Sequence, residues 1–329
     1  MKDTTSALKA IRAAFEPVIG QDECKNSLTE ILLAGYMDDF LVPLLFVGPA
    51  GWGKSFLMGK VKDIIKNTLG RKVYFAENGS ALGTRKEFLE DFYGPKMHDK
   101  SAVLFTDEIH DARDNTMGVI RDFLEPTMER GPKFVTLEER SLKFCPFLNS
   151  FAVATNEIDK LSPAFVSRFE RLDLSAYTVE EMEEMISRGL EDSEIQFHDN
   201  TLRILSECFR GSARDIVQWF NAIKRRVLIK GRKVISREDC YAILHARKTF
   251  PRGVTATELN TLLALEKRGR LQLKQLASIN GCASAEQDRN ETMLRGLGLI
   301  GTDVTRFITA EGIAYLAELR AEKFIPAID

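Results

Sequence analysis

The first half of the chain is marked by short, unbroken apolar runs rather than by alternation. Leu44-Leu45-Phe46-Val47, Val73–Ala76, Ala102–Phe105 and Ser150–Ala154 each have the length of a strand buried on both faces, and a last short strand is expected at Arg171–Leu174. Between them the apolar spacing is helical. Leu57, Val61, Ile64, Ile65 and Leu69 share one face, a helix is expected through Phe88–Tyr93, and another over 114–129 places Met117, Ile120, Phe123, Leu124 and Met128 on one side. Strands alternating with helices predict a doubly wound parallel sheet with helices on both faces and its site at the strand carboxyl ends.

After Ala176 the strand pattern is expected to stop. Thr178-Val179-Glu180-Glu181 reads as a capping box, a helix starts at Asp199 or Asn200 and ends near Gly211, and Ser212-Ala213-Arg214-Asp215 and Ser236-Arg237-Glu238-Asp239 open two more. This is an all-helical segment over 176–247. Beyond Phe250-Pro251-Arg252-Gly253, three helices start at Thr255, Leu273 and Ser284. Leu299-Ile300-Gly301 and Arg306-Phe307-Ile308 form a hairpin, and a last helix starts at Ala310, which together describe a winged helix. The expected domains are 1–175, 176–247 and 248–329.

Composition narrows this little. A net charge of −2 neither requires nor excludes nucleic acid, because a local basic stripe is what matters. Five scattered cysteines without a C-x-x-C pair point to reduced core thiols, and no apolar run approaches ~18 residues, so a cytoplasmic protein with no membrane role is expected. The Lys224-Arg225-Arg226 and Arg232-Lys233 runs read as solvated faces, with a nucleic-acid role as the minority alternative.

The chemistry is concentrated at the strand ends. The first run enters Gly48-Pro49-Ala50-Gly51-Trp52-Gly53-Lys54-Ser55, followed by Phe56 and a helix; this fits the phosphate-binding loop in its strand–loop–helix context. Inward-turned N–H groups and the helix N-terminus favour phosphate, Lys54 suits the β- and γ-phosphates of ATP, and the Ser55 hydroxyl suits Mg²⁺. The third run ends in Asp107-Glu108, where Asp107 is expected to hold Mg²⁺ through water and Glu108 to act as general base. His110 reads as a hydrogen-bonding residue rather than a ligand. Asn156, after the fourth run, either orients water at the γ-phosphate or caps the strand. Val18-Ile19 either lines an adenine pocket or packs the start of a helix. Residues 131–145 read as a hairpin whose charged turn, Thr136–Ser141 with Glu138 and Glu139, shows no spacing that would bury it. It is therefore expected to contact something else, a protein partner, a neighbouring subunit or DNA, with Phe134, Val135 and Leu137 as the candidate apolar contacts.

These residues resemble the AAA+ ATPases and, within them, the RuvB family of Holliday-junction branch-migration motors. The resemblance runs from Phe15-Glu16-Pro17-Val18-Ile19-Gly20-Gln21 through Gly48–Ser55, Asp107-Glu108-Ile109-His110, the hairpin, Ala154-Thr155-Asn156 and Ser167-Arg168-Phe169 to Gly211-Ser212-Ala213-Arg214 and the winged helix. It implies an α/β P-loop AAA+ core followed by a helical lid and a winged-helix domain. It implies Asn156 as first sensor, Arg168 as an arginine finger acting on a neighbouring subunit's ATP, Arg214 as second sensor, and Val18 and Ile19 at the adenine. It further implies a homo-oligomeric ring, usually a hexamer, acting on duplex or four-way-junction DNA, with a RuvA-like partner docked on the hairpin. Four positions depart from the family: Asn156 and Glu157 follow Thr155, Asp111 follows His110, and Trp52 sits in the loop. A clamp-loader-like ATPase that places a partner on DNA shares every catalytic residue named and is the alternative reading.

Overall fold

The apolar runs become strands, and alternation along them sorts their side chains into two cores. The computed structural model describes residues 2–125, 131–137, 140–198 and 200–326. Met128, Glu138, Glu139 and Asp199 lie outside the described residues, as does the side chain of Leu137. Helices α1 (Thr4–Phe15) and α2 (Asp22–Asp38) precede β1 (Leu44–Val47), and α3 (Lys54–Asn67) leads to β2 (Lys72–Ala76). One turn, α4 (Arg85–Glu87), runs into a π-helical stretch, Phe88–Met97, before β3 (Ala102–Thr106). Then come α5 (Asp114–Phe123), β4 (Lys133–Leu137), β5 (Arg140–Phe144), β6 (Asn149–Thr155), α6 (Pro163–Val166) and β7 (Glu170–Asp173).

Strands β1, β3 and β6 are buried at every position, and the parallel sheet has the order β2-β3-β6-β1-β7. Leu45, Val47, Leu104, Phe151 and Val153 point into one core with Phe88, Tyr93, Ile120 and Phe123. Their neighbours Leu44, Phe46, Val103, Phe105, Ala152 and Ala154 point into the other, against Leu28 and Leu32 of α2 and Leu57, Val61 and Ile65 of α3.

The helix expected over 114–129 ends at Phe123, because Leu124 already leaves helical backbone and Glu125 precedes Pro126, a position that disfavours helix. The hairpin β4–β5 does cover something. Val135 pairs with Leu142, both pack on the first core, and Phe144 is fully buried beside them. Val135, Leu142 and Phe144 share the inner face, so Phe134 is turned outward and is 62% exposed.

The described chain packs as two units, residues 1–181 with 211–214, and 182–210 with 215–329. The second continues α7 (Val179–Leu190) into β8 (Gln196–Phe197), α8 (Thr201–Ser206), α9 (Ala213–Lys230), β9 (Val234–Ile235) and α10 (Arg237–Ala246). It goes on through β10 (Thr249–Phe250), β11 (Val254–Thr255), α11 (Ala256–Arg268), α12 (Leu273–Asn280), α13 (Ser284–Gly296), β12 (Ile300–Thr302), β13 (Arg306–Ile308) and α14 (Ala310–Ala321). Strands therefore do not stop at Ala176: β8 pairs with β9 and β10 with β11, two residues each, tying loops together.

Position 247 lies inside this unit rather than at its edge. Arg210 donates to the Gly253 carbonyl at 2.8 Å and to Glu258 at 3.1 Å, and Glu258 also closes the capping box of α11. Asp239 shows the same economy: Arg226 and Arg232 hold its buried carboxylate at 2.9 and 2.7 Å while it closes the capping box of α10. Arg226, Arg232 and Lys233 are ion-paired, and Lys224, Arg225, Arg232 and Lys233 stay exposed, as expected of a solvated face. At α13 the expected cap at Ser284 is absent. Gln287 is fully buried and instead bonds Thr261, Asn280 and Glu291. Among the described residues no helix is long and apolar enough to cross a membrane.

Candidate nucleotide site

The carboxyl end of β1 delivers the chain into the loop Gly48–Gly53, beside the end of β6, where Val47 pairs with Thr155. Gly51 and Gly53 both adopt φ +88°, in the left-handed region. A Cβ on Gly51 would lie 2.1 Å from the Ser212 hydroxyl, and one on Gly53 would lie 2.3 Å from the Tyr177 hydroxyl. Glycine is thus needed twice over, for the turn and for close approach. Lys54 opens α3 and is buried, its Nζ donating to the Gly48 and Pro49 carbonyls at 2.5 and 3.1 Å. Burial lowers the ammonium's pKa below its ordinary value; Glu108 and Asp107 oppose this, and Arg214 adds to it.

Next to the loop, Ser55 Oγ donates to Asp107 Oδ2 at 2.7 Å, joining the first helical turn to the end of β3. A hydroxyl and a carboxylate converging in this way form an oxygen-only donor set suited to a hard divalent cation. Glu108 follows in left-handed backbone, φ 45°, a strained conformation for a residue with a side chain. Its carboxylate is held from two sides. The Asn156 N–H donates to Oε2 at 3.3 Å, and His110 Nδ1 lies 3.4 Å from the same oxygen. His110 Nδ1 is also 2.9 Å from Thr155 Oγ1, with Asp111 and Glu157 near its other nitrogen at 3.6 and 3.5 Å. The structure thus brings Lys54, Ser55, Asp107, Glu108 and Asn156 together.

Residues 211–214 pack with this unit. Ala213 N–H donates to the Gly51 carbonyl at 2.9 Å, which carries Arg214 to the loop. Sequence reasoning missed Gln21. It is buried in left-handed backbone, its amide donates to Ser175 O at 2.7 Å and Trp52 O at 3.5 Å, and its carbonyl accepts from Ser175 N–H. Its only sequence signal is the polar residue closing Val18-Ile19-Gly20. Val18 is buried in the second core, Ile19 is half-buried, Trp52 packs on the same core and Phe56 is half-exposed with Lys60 over its ring.

Arg168 is not in this group. β7 pairs Glu170 with Leu44, the first residue of β1, and Glu170 N–H donates to Pro43 O at 2.7 Å. The phosphate loop leaves the other end of β1, four residues and about 13 Å of strand away. Arg168 therefore stands beyond the amino end of the sheet, where it pairs with Glu125 and bonds Ser167. In the winged-helix segment, Arg295 is paired with Asp288 while Arg289 is exposed.

Residues 44–176 match AAA, the ATPase family associated with various cellular activities. The Holliday junction branch migration complex subunit RuvB of Pseudothermotoga lettingae is 26% identical over 312 residues, covering 92% of this chain and 87% of that protein. The subunit of the same name from Neorickettsia sennetsu is 22% identical over 98% of this chain and 97% of its own length. Among solved structures, the Thermotoga maritima RuvB Holliday junction branch migration motor matches with a TM-score of 0.66 and 21% identity, over 91% of this chain and 95% of that one.

Proposed function

The chain is a divergent member of the RuvB family of AAA+ ATPases, and from that premise we propose that it is a ring-forming motor, assembled as a hexamer, that hydrolyses ATP to move duplex DNA and drive branch migration of four-way junctions. The observation that carries this reading is the division of the sheet: the hydrolytic groups lie at its carboxyl end and Arg168 lies at the other. A chain built this way supplies most of one site and the missing cation of another.

In this reading the triphosphate lies along Gly48–Ser55, met by backbone N–H groups and the α3 N-terminus. Lys54 leaves its loop carbonyls for the β- and γ-phosphates, while Ile19 and Gln21 define the side where the base enters and Val18 supports them from the core. Ser55 and Asp107 are the residues that would hold Mg²⁺, whose charge offsets that of the phosphates. Glu108, aimed by the Asn156 N–H and His110, takes the proton of the attacking water as its oxygen bonds the γ-phosphorus and the β–γ bridge bond breaks. The Asn156 side chain orients that water. Arg214 senses the γ-phosphate from the segment pinned to Gly51, and Arg168 of the neighbouring subunit meets the charge that develops in the transition state. The outward Phe134 on the hairpin is the contact for a RuvA-like partner.

The test is ATPase rate and strand exchange on four-way-junction, linear duplex and single-stranded DNA, with and without a RuvA-type protein. Stimulation and strand exchange greatest on the junction with the partner are expected. Placement of the partner on DNA without strand exchange would contradict the motor and favour a loader.

A further inference from the structure

The cations of the winged-helix segment fall into two sets. On α13, Arg295 lies 3.2 Å from Asp288 and 3.7 Å from Glu291, and Arg306 of β13 meets the same two acids at 3.4 and 2.9 Å. Glu291 is fully buried and draws Arg306 largely inward, while the paired Arg295 stays about 32% exposed. The exposed charged residues of α13 are Glu286 and Arg289, whose charges cancel. The turn between β12 and β13 adds no free cation. Its Asp303 takes Arg270 at 2.5 Å, Arg270 stacks over the Phe307 ring at 4.4 Å, and Val304 at the tip is apolar.

The second set precedes α13. Residues 267–285 hold Lys267, Arg268, Arg270 and Lys274 and no acidic residue. Lys267, Arg268 and Lys274 are exposed, and the acid just before them, Glu266, is held by Arg320 at 2.9 and 2.5 Å. Leu271 exchanges backbone hydrogen bonds with Arg306 at 3.0 and 2.8 Å, a single antiparallel bridge that ties the connection between α11 and α12 to β13. Lys267 and Arg268 fall in the last turn of α11, where cations favour the helix dipole on their own account. Lys274 is in the first turn of α12, where the dipole opposes it, so helix stability does not explain the cluster.

Resting on the reading of the chain as a DNA motor, we propose that this segment grips duplex DNA by its phosphates through Lys267, Arg268 and Lys274, and that α13 does not enter the groove as the reading helix. Phosphate contact requires exposed cations; on α13 the one exposed cation, Arg289, is offset by Glu286, whereas the α11–α12 connection supplies three that have no ion-pair partner among the described residues. Such contacts carry no sequence information, as suits a protein that must move along any sequence.

The test is binding of the full-length protein to a labelled linear duplex over a salt series. Wild type should bind with a steep salt dependence. The triple variant Lys267→Ala, Arg268→Ala, Lys274→Ala should lose about 2.7 from the log–log salt slope, ~0.9 per phosphate contact. Arg289→Ala should keep the wild-type slope. The charge-keeping triple Lys267→Arg, Arg268→Lys, Lys274→Arg should restore the slope, which separates lost charge from lost fold. A triple Ala variant with the wild-type slope, or a slope that falls with Arg289→Ala, overturns this inference and leaves the motor reading standing. Wild type with no salt-dependent duplex binding overturns both.

Discussion

The two ends of the parallel sheet differ in kind. At the carboxyl end, residues from five separate segments converge and bond one another: Ser55 to Asp107, Asn156 to Glu108, Ala213 to Gly51 and Gln21 to Trp52. At the amino end, Arg168 pairs with Glu125, and its Nε has no acceptor among the described residues. One end gathers the residues of the candidate nucleotide site. The other presents a cation with no phosphate site of its own. In the ring we propose, this difference lets each subunit complete a neighbour's site, so that its chemistry would depend on assembly.

The largest effects should come from the carboxyl end. Lys54→Ala should abolish ATP binding, measured by calorimetry. Glu108→Gln should bind ATP normally and lose about 10³-fold in turnover, within the range for a general base. Retained turnover in Glu108→Gln would move the base elsewhere. At the amino end, Arg168→Ala should also cost ~10³-fold in steady-state hydrolysis while ATP affinity of the isolated subunit stays unchanged. A loss of affinity in the monomer would mean that Arg168 reaches its own loop, and the contrast between the ends would collapse.

Smaller effects check that neither result is a folding artefact. Burial alone would raise the Asp239 pKa, but hydrogen bonds from Arg226, Ser236 and Arg232 bring it to about 2 from the ordinary 3.8. A carboxyl depressed on folding stabilises fully above its unfolded value and loses that stability as pH falls. Asp239 should therefore contribute about 2 kcal/mol near neutral pH, lost between about pH 4 and pH 2, and Asp239→Asn should flatten that part of the acid melt. ATP binding by the first unit should be untouched. On the hairpin, Val135→Ser should lower stability by about 1 kcal/mol, because Val135 packs on the core. Phe134→Ser should change stability by less than about 0.5 kcal/mol and weaken partner binding, seen by comparing melting curves with partner pull-down.

The α/β core was legible because each strand carries its own signal. Leu44–Val47, running into Gly48–Ser55, needs no distant residue to be interpreted, and the same holds for Ala102–Thr106 with Asp107-Glu108. What stayed hidden depends on partners far along the chain. Gln21 looks like an ordinary polar helix start, yet it bonds Ser175, and Arg210 looks like a surface cation, yet it holds Glu258. The hairpin was legible, but its packing on the core was not, because its charged turn outweighed the two-residue period of Val135, Leu142 and Phe144. His110 sits against Glu108 and Thr155 through the geometry of two adjacent strand ends, which spacing along the sequence does not encode.

The claim that Arg168 acts across a subunit boundary is tested most directly by mixing two inactive proteins. Glu108→Gln subunits keep Arg168 but lack the base; Arg168→Ala subunits keep the base but lack the cation. In a mixed ring some interfaces join an intact Glu108 to a neighbour's intact Arg168. The account predicts that ATP hydrolysis, undetectable in either protein alone, appears on mixing and peaks at an intermediate ratio. Mixed rings, shown to form, that hydrolyse no ATP at any ratio would contradict it.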